Sequence, residues 1–245
     1  MEYLFGNRRT QVNSRTFKIE KDPFYEGETI YLNDKITLNP GVTVLVGCNG
    51  SGKTTLIKTL KSQLEKAKVP VVSYNNLQQG GTNSIPSAMF EHDLTFVATS
   101  WTASEGEQIS LNLGKFVAPL RDFIHNGTVQ EKAADRFARL VSGTDKRPDS
   151  DKFNERWIFL DAIDSGLSID NIVELHELFQ IIIFDAPSDV DVYIVMSANE
   201  YELARNQNCF DVIRGQYITF KDYEEYRDFI LDSKLEKDKR EESEE

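Results

Sequence analysis

Cysteine is scarce in this chain: two in 245 residues, Cys48 and Cys209. The pair has no metal-ligand spacing and no need to bond, which sets aside a disulfide scaffold and a cysteine-built metal centre. Basic residues are outnumbered, with 28 Lys and Arg against 40 Asp and Glu, giving a formal net charge of −12 and a pI near 4.8. Affinity for nucleic acid depends on Lys and Arg neutralising phosphates, so a general nucleic-acid-binding surface is not expected. Nucleic acid would be reached only through a partner or a local basic patch. Lys58, Lys61, Lys66 and Lys68 form one such cluster, which also has the look of a solvated helix face. Long apolar runs are missing as well: Ile181-Ile182-Ile183-Phe184 is far short of the roughly 20 residues that span a bilayer. No membrane contact is expected. No charged-then-apolar leader opens the chain, so the expected location is cytoplasmic. Internal repeats and long heptad segments are also absent.

What is present is enough for one large α/β domain with a substantial core. The composition, 40% apolar and 28% charged, is that of a globular protein. That domain is expected over residues 1–232. From Ser233 onward the sequence SKLEKDKREESEE is almost wholly charged and has no apolar stripe, and a frayed helical extension or disordered tail is expected over 233–245.

Residues 47–54 read GCNGSGKT, between the apolar run Val42–Val46 and the helix-like run Thr55–Lys61. A glycine-rich loop between strand and helix is what a phosphate-binding loop requires. Its glycines let backbone N–H groups close around phosphates, Lys53 reaches the β/γ oxygens, and the Thr54 hydroxyl ligates Mg²⁺. The expected nucleotide-binding residues are Gly47, Asn49, Gly50, Ser51, Gly52, Lys53, Thr54 and Thr55, with ATP and Mg²⁺ as the ligands. A second mark is WIFLDAIDSGLS at 157–168. Four apolar residues end in Asp161, as a buried parallel strand does when it delivers a carboxylate to its C-terminal edge, so Asp161 is the candidate Walker B acid and a second metal ligand.

Together these segments resemble the ABC-type ATPase superfamily. GCNGSGKTT is similar to its nucleotide loop, and SGLS at 165–168 stands in the place of its D-loop. SEGEQ at 104–108 stands where the family carries its signature and is closest to the version in SMC-like and RecF-like members. The resemblance implies that Ser104 and Gly106, at a helix N-terminus, contact the γ-phosphate of ATP held by an opposite subunit. It therefore implies a nucleotide-dependent homodimer, working with an unidentified protein partner. As an ordinary helix start, SEGEQ is also a capping box, Ser104 with Glu107. The resemblance further implies a glutamine that binds Mg²⁺ between the loop and the signature, for which Gln78 and Gln79 are the candidates. In the transporter members an aromatic residue upstream of the loop stacks on adenine, for which Phe24, Tyr25 and Tyr31 are the candidates, and SMC-like members often lack that stack.

The departures are informative. The family's catalytic glutamate directly follows the Walker B acid, and here that residue is Ala162, which cannot polarise a water. Asp164 is the nearest carboxylate in the segment and the candidate surrogate base. A switch histidine is replaced by Asn199, which can hydrogen-bond a γ-phosphate but takes no proton at neutral pH. Slow or impaired hydrolysis is expected. The role expected is an ATP-dependent switch in DNA maintenance, mobile-element or defence biology. The alternatives are a pseudo-ATPase holding nucleotide as a structural ligand and, disfavoured by SEGEQ, a transporter ATPase subunit.

The expected architecture is an α/β P-loop NTPase fold with a mostly parallel sheet flanked by helices and an antiparallel portion near the N-terminus. Strands are expected at 15–20, 28–31, 35–38, 42–46, 69–74, 157–160, 192–196 and 217–220. Helices are expected from the loop to about residue 68, over 105–124, 129–141, 168–184 and 223–232. The segment 93–98 reads as helical or extended. Helical material inserted over about 108–155 is a candidate partner-binding surface.

Overall fold

The computed structural model describes residues 13–19, 31–75, 120–125, 127, 153–165 and 167–243. Strands β1 (Arg15–Lys18) and β2 (Lys35–Leu38) form an antiparallel pair. β3 (Gly41–Val46) runs into the glycine loop, which opens helix α1 (Lys53–Lys66), and β4 (Val71–Asn75) follows. After residues 120–125, which are helical, come β5 (Glu155–Asp161), α2 (Ile169–Asp185) and β6 (Asp191–Ser197). The chain closes with α3 (Tyr201–Ala204), β7 (Asn208–Asp211), β8 (Gln216–Ile218) and α4 (Tyr223–Ser243).

The main sheet has the order β4-β5-β6-β3-β7-β8, parallel throughout except for the last pair. Its central strands are apolar on both faces, as strands covered by helices on each side must be. Period two sorts them. Val42, Val44 and Val46 of β3, with Ile158 and Leu160 of β5 and Ile194 and Met196 of β6, face the side covered by Ile172, Leu175, Phe179 and Ile182 of α2. Leu45, Trp157, Phe159, Tyr193 and Val195 face the side covered by Leu56, Ile57, Leu60 and Leu64 of α1 and by Phe17, Ile36 and Leu38 of the antiparallel pair. Each helix buries one stripe at three- and four-residue spacing.

The order of the strands positions the chemistry. β6 lies between the loop strand β3 and the acid strand β5, and all of these strands, with β4, end at the same edge. Ligands of open α/β sheets bind outside that C-terminal edge.

Several elements differ from their sequence-based bounds. β4 starts two residues later than expected because Val69 packs under α1 instead. The short strand β7 is not expected from the sequence: NCFD is too brief to show a period, and its pairing with β3 makes it a strand. Of the strand expected at 28–31 only Tyr31 is described, and it lies outside any strand. The closing helix does not stop at residue 232. It continues through Ser233 to Ser243, so the charged segment described takes the helical form of the two expected for it. The expected elements over 93–98 and 129–141, and most of that over 105–124, lie outside the described residues.

Candidate functional site

The loop after β3 departs from ordinary backbone where its glycines fall: Gly47, Gly50 and Gly52 have φ of 151°, 79° and 88°. Space is short as well as conformation. A Cβ on Gly47 would lie 2.6 Å from Ser51 Oγ and 3.2 Å from Val212 Cγ2, so only glycine fits there. Tyr31 braces the loop from outside, its hydroxyl donating to the Gly52 carbonyl at 2.8 Å. Its ring is buried in the core beside α1, which corrects the reading of Tyr31 as an adenine-stacking face. Phe24 and Tyr25 lie outside the described residues.

Lys53, the first residue of α1, turns its ammonium back over the loop and donates to the carbonyls of Gly47 at 2.7 Å and Cys48 at 3.2 Å. Burial pulls its pKa below the usual lysine value, opposed by the negative charges of Asp164 and Asp161. Ser51 Oγ is buried with no hydrogen-bond partner among the described residues.

Asp161, at the end of β5, is buried and collects donors from three directions. Thr54 Oγ1 donates to Oδ1 at 3.1 Å and Ser197 Oγ to the same oxygen at 2.8 Å, while Asn75 Nδ2 donates to Oδ2 at 3.0 Å. Sequence reasoning brought Thr54 and Asp161 together, and the structure does place them in contact. Asn75 and Ser197 were not expected as site residues. Each ends a parallel strand on a polar side chain, β4 and β6 respectively, and that was the available signal.

The segment after Asp161 is tightly held. Ala162 takes φ of 52°, a left-handed conformation unusual for a residue with a Cβ, and its N–H donates to Ser197 Oγ at 2.7 Å. Asp164 is buried. Its Oδ2 accepts the backbone N–H groups of Asn199 at 2.6 Å and Glu200 at 2.8 Å. Burial raises the Asp164 pKa, and the amides and the Lys53 charge lower it in part. Asp164 thus ties the turn after β5 to the turn after β6. Asn199 belongs to the same tie: its amide group lies 3.4 Å from Asp164 Oδ1, and its carbonyl accepts from Tyr226 of α4 at 3.1 Å. A third contribution from outside the motifs is Ser233 of α4, whose Oγ accepts the Cys48 N–H at 3.1 Å.

Ser104, Gly106, Gln78 and Gln79 lie outside the described residues. Asn49, Gly50 and Thr55 sit in the loop and at the start of α1, as expected. The assembled groups are a loop that admits no side chain at Gly47, a buried ammonium held by carbonyls, an orphaned serine hydroxyl, and a hydroxyl against a carboxylate. These are donors for phosphate oxygens beside hard oxygen ligands of the kind Mg²⁺ takes. The residues fit a nucleoside triphosphate with its metal.

Over residues 36–204 the sequence matches the family described as "AAA domain". The chain belongs to this AAA-domain family. Within the P-loop NTPases, membership makes it an ATPase domain with a site for ATP, and the mostly parallel sheet, flanking helices and antiparallel N-terminal pair agree with that class. No curated protein matches this AAA domain. Among solved structures, "Stu0660 of Streptococcus thermophilus" is similar at 11% identity and a TM-score of 0.37, covering 80% of this chain and 76% of that one. That likeness is too loose to argue from. None of the described helices of this AAA domain is long and apolar enough to cross a membrane.

Proposed function

We propose that this AAA domain is an ATP-dependent switch that holds ATP with Mg²⁺ at Lys53, Thr54 and Asp161 and hydrolyses it slowly. The observation that carries the reading is the contact between the Thr54 hydroxyl and the Asp161 carboxylate beneath the loop that holds Lys53. When bound, ATP supplies a hydrolysable anhydride and Mg²⁺ neutralises phosphate charge. The chain's own residues bind and orient: loop amides and Lys53 hold phosphate, Thr54 and Asp161 offer metal ligands, and Ser197 and Asn75 hold the Asp161 carboxylate in place.

Slow turnover is supported by the two residues that follow β5 where a water-activating group would stand. Ala162 presents only a methyl group, and the Asp164 carboxylate is engaged by two backbone amides. The same observations favour a second reading, in which bound nucleotide is a structural ligand. SEGEQ and SGLS support placement nearer the SMC/RecF-like ABC-type ATPases, with a dimer formed on ATP and a protein partner in DNA maintenance, mobile-element or defence biology.

Binding of a fluorescent ATP analogue tests the site. Lys53→Ala is expected to abolish it, and unchanged affinity would sink the reading. Steady-state turnover of the wild type separates the two readings. A rate above about ten per second, the median for enzymes, would remove the claim of slow hydrolysis, while no turnover would leave nucleotide as ligand. Asp164→Asn distinguishes its two roles: a base loses turnover with the melting temperature held, and a tie between turns loses the melting temperature first.

A further inference from the structure

We propose that Lys237, on the closing helix α4, is a phosphate-binding cation of the nucleotide site, a role that rests on the ATP-binding reading above. Helix α4 is fixed by bonds along its length, one of them to the loop. Tyr226 donates to the Asn199 carbonyl, Ser233 accepts from the Cys48 N–H, and Glu236 pairs with Arg214 at 2.8 Å. Ser233 and Lys237 are one turn apart and share a face. That face meets the glycine loop: a Cβ built on Gly50 would lie 3.1 Å from Lys237 Nζ and 3.2 Å from its Cε. The ammonium therefore stands against Gly50, one of the residues whose N–H groups line the cradle.

Charge gives the position its meaning. A triphosphate brings several negative charges to a chain of net charge −12, so each cation near the loop counts. Lys53 is held inside the loop, on the carbonyls of Gly47 and Cys48. Lys237 reaches the loop at Gly50 from α4, a helix held in place by its own bonds. Gly50 is needed for this approach as well as for its φ of 79°, because a side chain there would displace the ammonium. A phosphate cradled by the loop would then meet two ammonium groups, Lys53 from α1 and Lys237 from α4.

The test is a titration of the full chain with a fluorescent ATP analogue, with ATP and AMP as competitors, at low and high salt. Lys237→Met keeps the aliphatic stem against Gly50 and removes the charge, whereas Lys237→Arg keeps the charge. Lys237→Met is expected to weaken ATP about tenfold, the effect of one charge-assisted contact discounted for a half-exposed group. It should leave AMP almost unchanged and flatten the salt dependence, and Lys237→Arg should retain affinity. Unchanged ATP affinity in Lys237→Met overturns the proposal, and tighter binding overturns it by showing that the helix obstructs the loop. A loss equal for ATP and AMP, or one that tracks a fallen melting temperature that Lys237→Arg does not restore, marks packing and overturns it too. If Lys53→Ala abolishes binding while Lys237→Met does not weaken it, only Lys237 is withdrawn. Absence of ATP binding in the wild type withdraws both.

Discussion

Ser197 does two things with one hydroxyl: it donates to Asp161 and accepts from the buried N–H of Ala162. Ser197→Ala leaves that N–H without an acceptor, at a cost of about 1–3 kcal/mol. It also frees the Asp161 carboxylate on one side. A melting temperature lower by roughly 2–4 °C per kcal/mol is expected, together with a loss of ATP affinity that is larger in Mg²⁺ than in chelator. Calorimetry with and without the metal checks both, and a metal-independent loss would separate Ser197 from the metal ligands. Cys209 makes a different kind of residue-scale statement. Its thiol is buried, donates to the Ala204 carbonyl, and is pushed up by burial to about 12. In the unfolded chain it ionises near its ordinary value of 9.0, so between those pH values the unfolded state alone sheds the proton. Stability therefore falls as pH rises through that window, by about 1.4 kcal/mol at pH 10 from this group. Cys209→Ser, compared with wild type in melts at pH 8 and pH 10, should lose less on the alkaline side.

At the scale of elements, α1 is both the helix that carries Lys53 and Thr54 and a wall of the core. Leu56, Leu60 and Leu64 are fully buried against the sheet, and this burial holds the start of the helix beneath the loop. Leu60→Ala removes a buried side chain without touching the site, at a cost of roughly 2–5 kcal/mol. Denaturant unfolding should show the midpoint lowered with the slope unchanged. An unchanged midpoint would mean that α1 is held by its loop and not by its packing. The helix α4 is held differently. Its outer part is charged, and what fixes it there is a set of bonds, Ser233 to the loop and Glu236 to Arg214.

For the whole molecule, the proposed switch is an assembly. If SEGEQ acts in trans, ATP joins two copies in an isologous two-fold interface, each giving a loop to one nucleotide and Ser104 with Gly106 to the other. Two acidic chains repel without nucleotide, so a monomer is expected then. With ATP and Mg²⁺, the proposed slow hydrolysis should make such a dimer long-lived. Ser104→Arg puts a bulky cation where the γ-phosphate docks, and should block dimerisation while leaving binding at Lys53 nearly intact. Light scattering after size exclusion reads the mass. A mass indifferent to nucleotide and to Ser104→Arg would leave SEGEQ as a capping box.

The sequence by itself determined the loop, the acid strand and the class of fold, because these depend on local order. GCNGSGKT needs only a strand before it and a helix after it, and WIFLD carries its burial in its own apolar run. Hydrophobic period likewise placed α1, β5, α2 and β6 to within a few residues. Only the tertiary structure decided which residues surround Asp161. Asn75, Ser197 and Thr54 are far apart in the chain and meet because β6 lies between β3 and β5 with β4 beside β5. Strand order is a property of the whole sheet, and no window of sequence contains it. The same holds for the outer part of α4: beyond residue 232 its charged residues show no apolar stripe, so nothing local decides between a helical extension and a disordered tail. Its contacts with the loop, through Ser233 and Lys237, exist only once α4 has folded back onto the turn after β3.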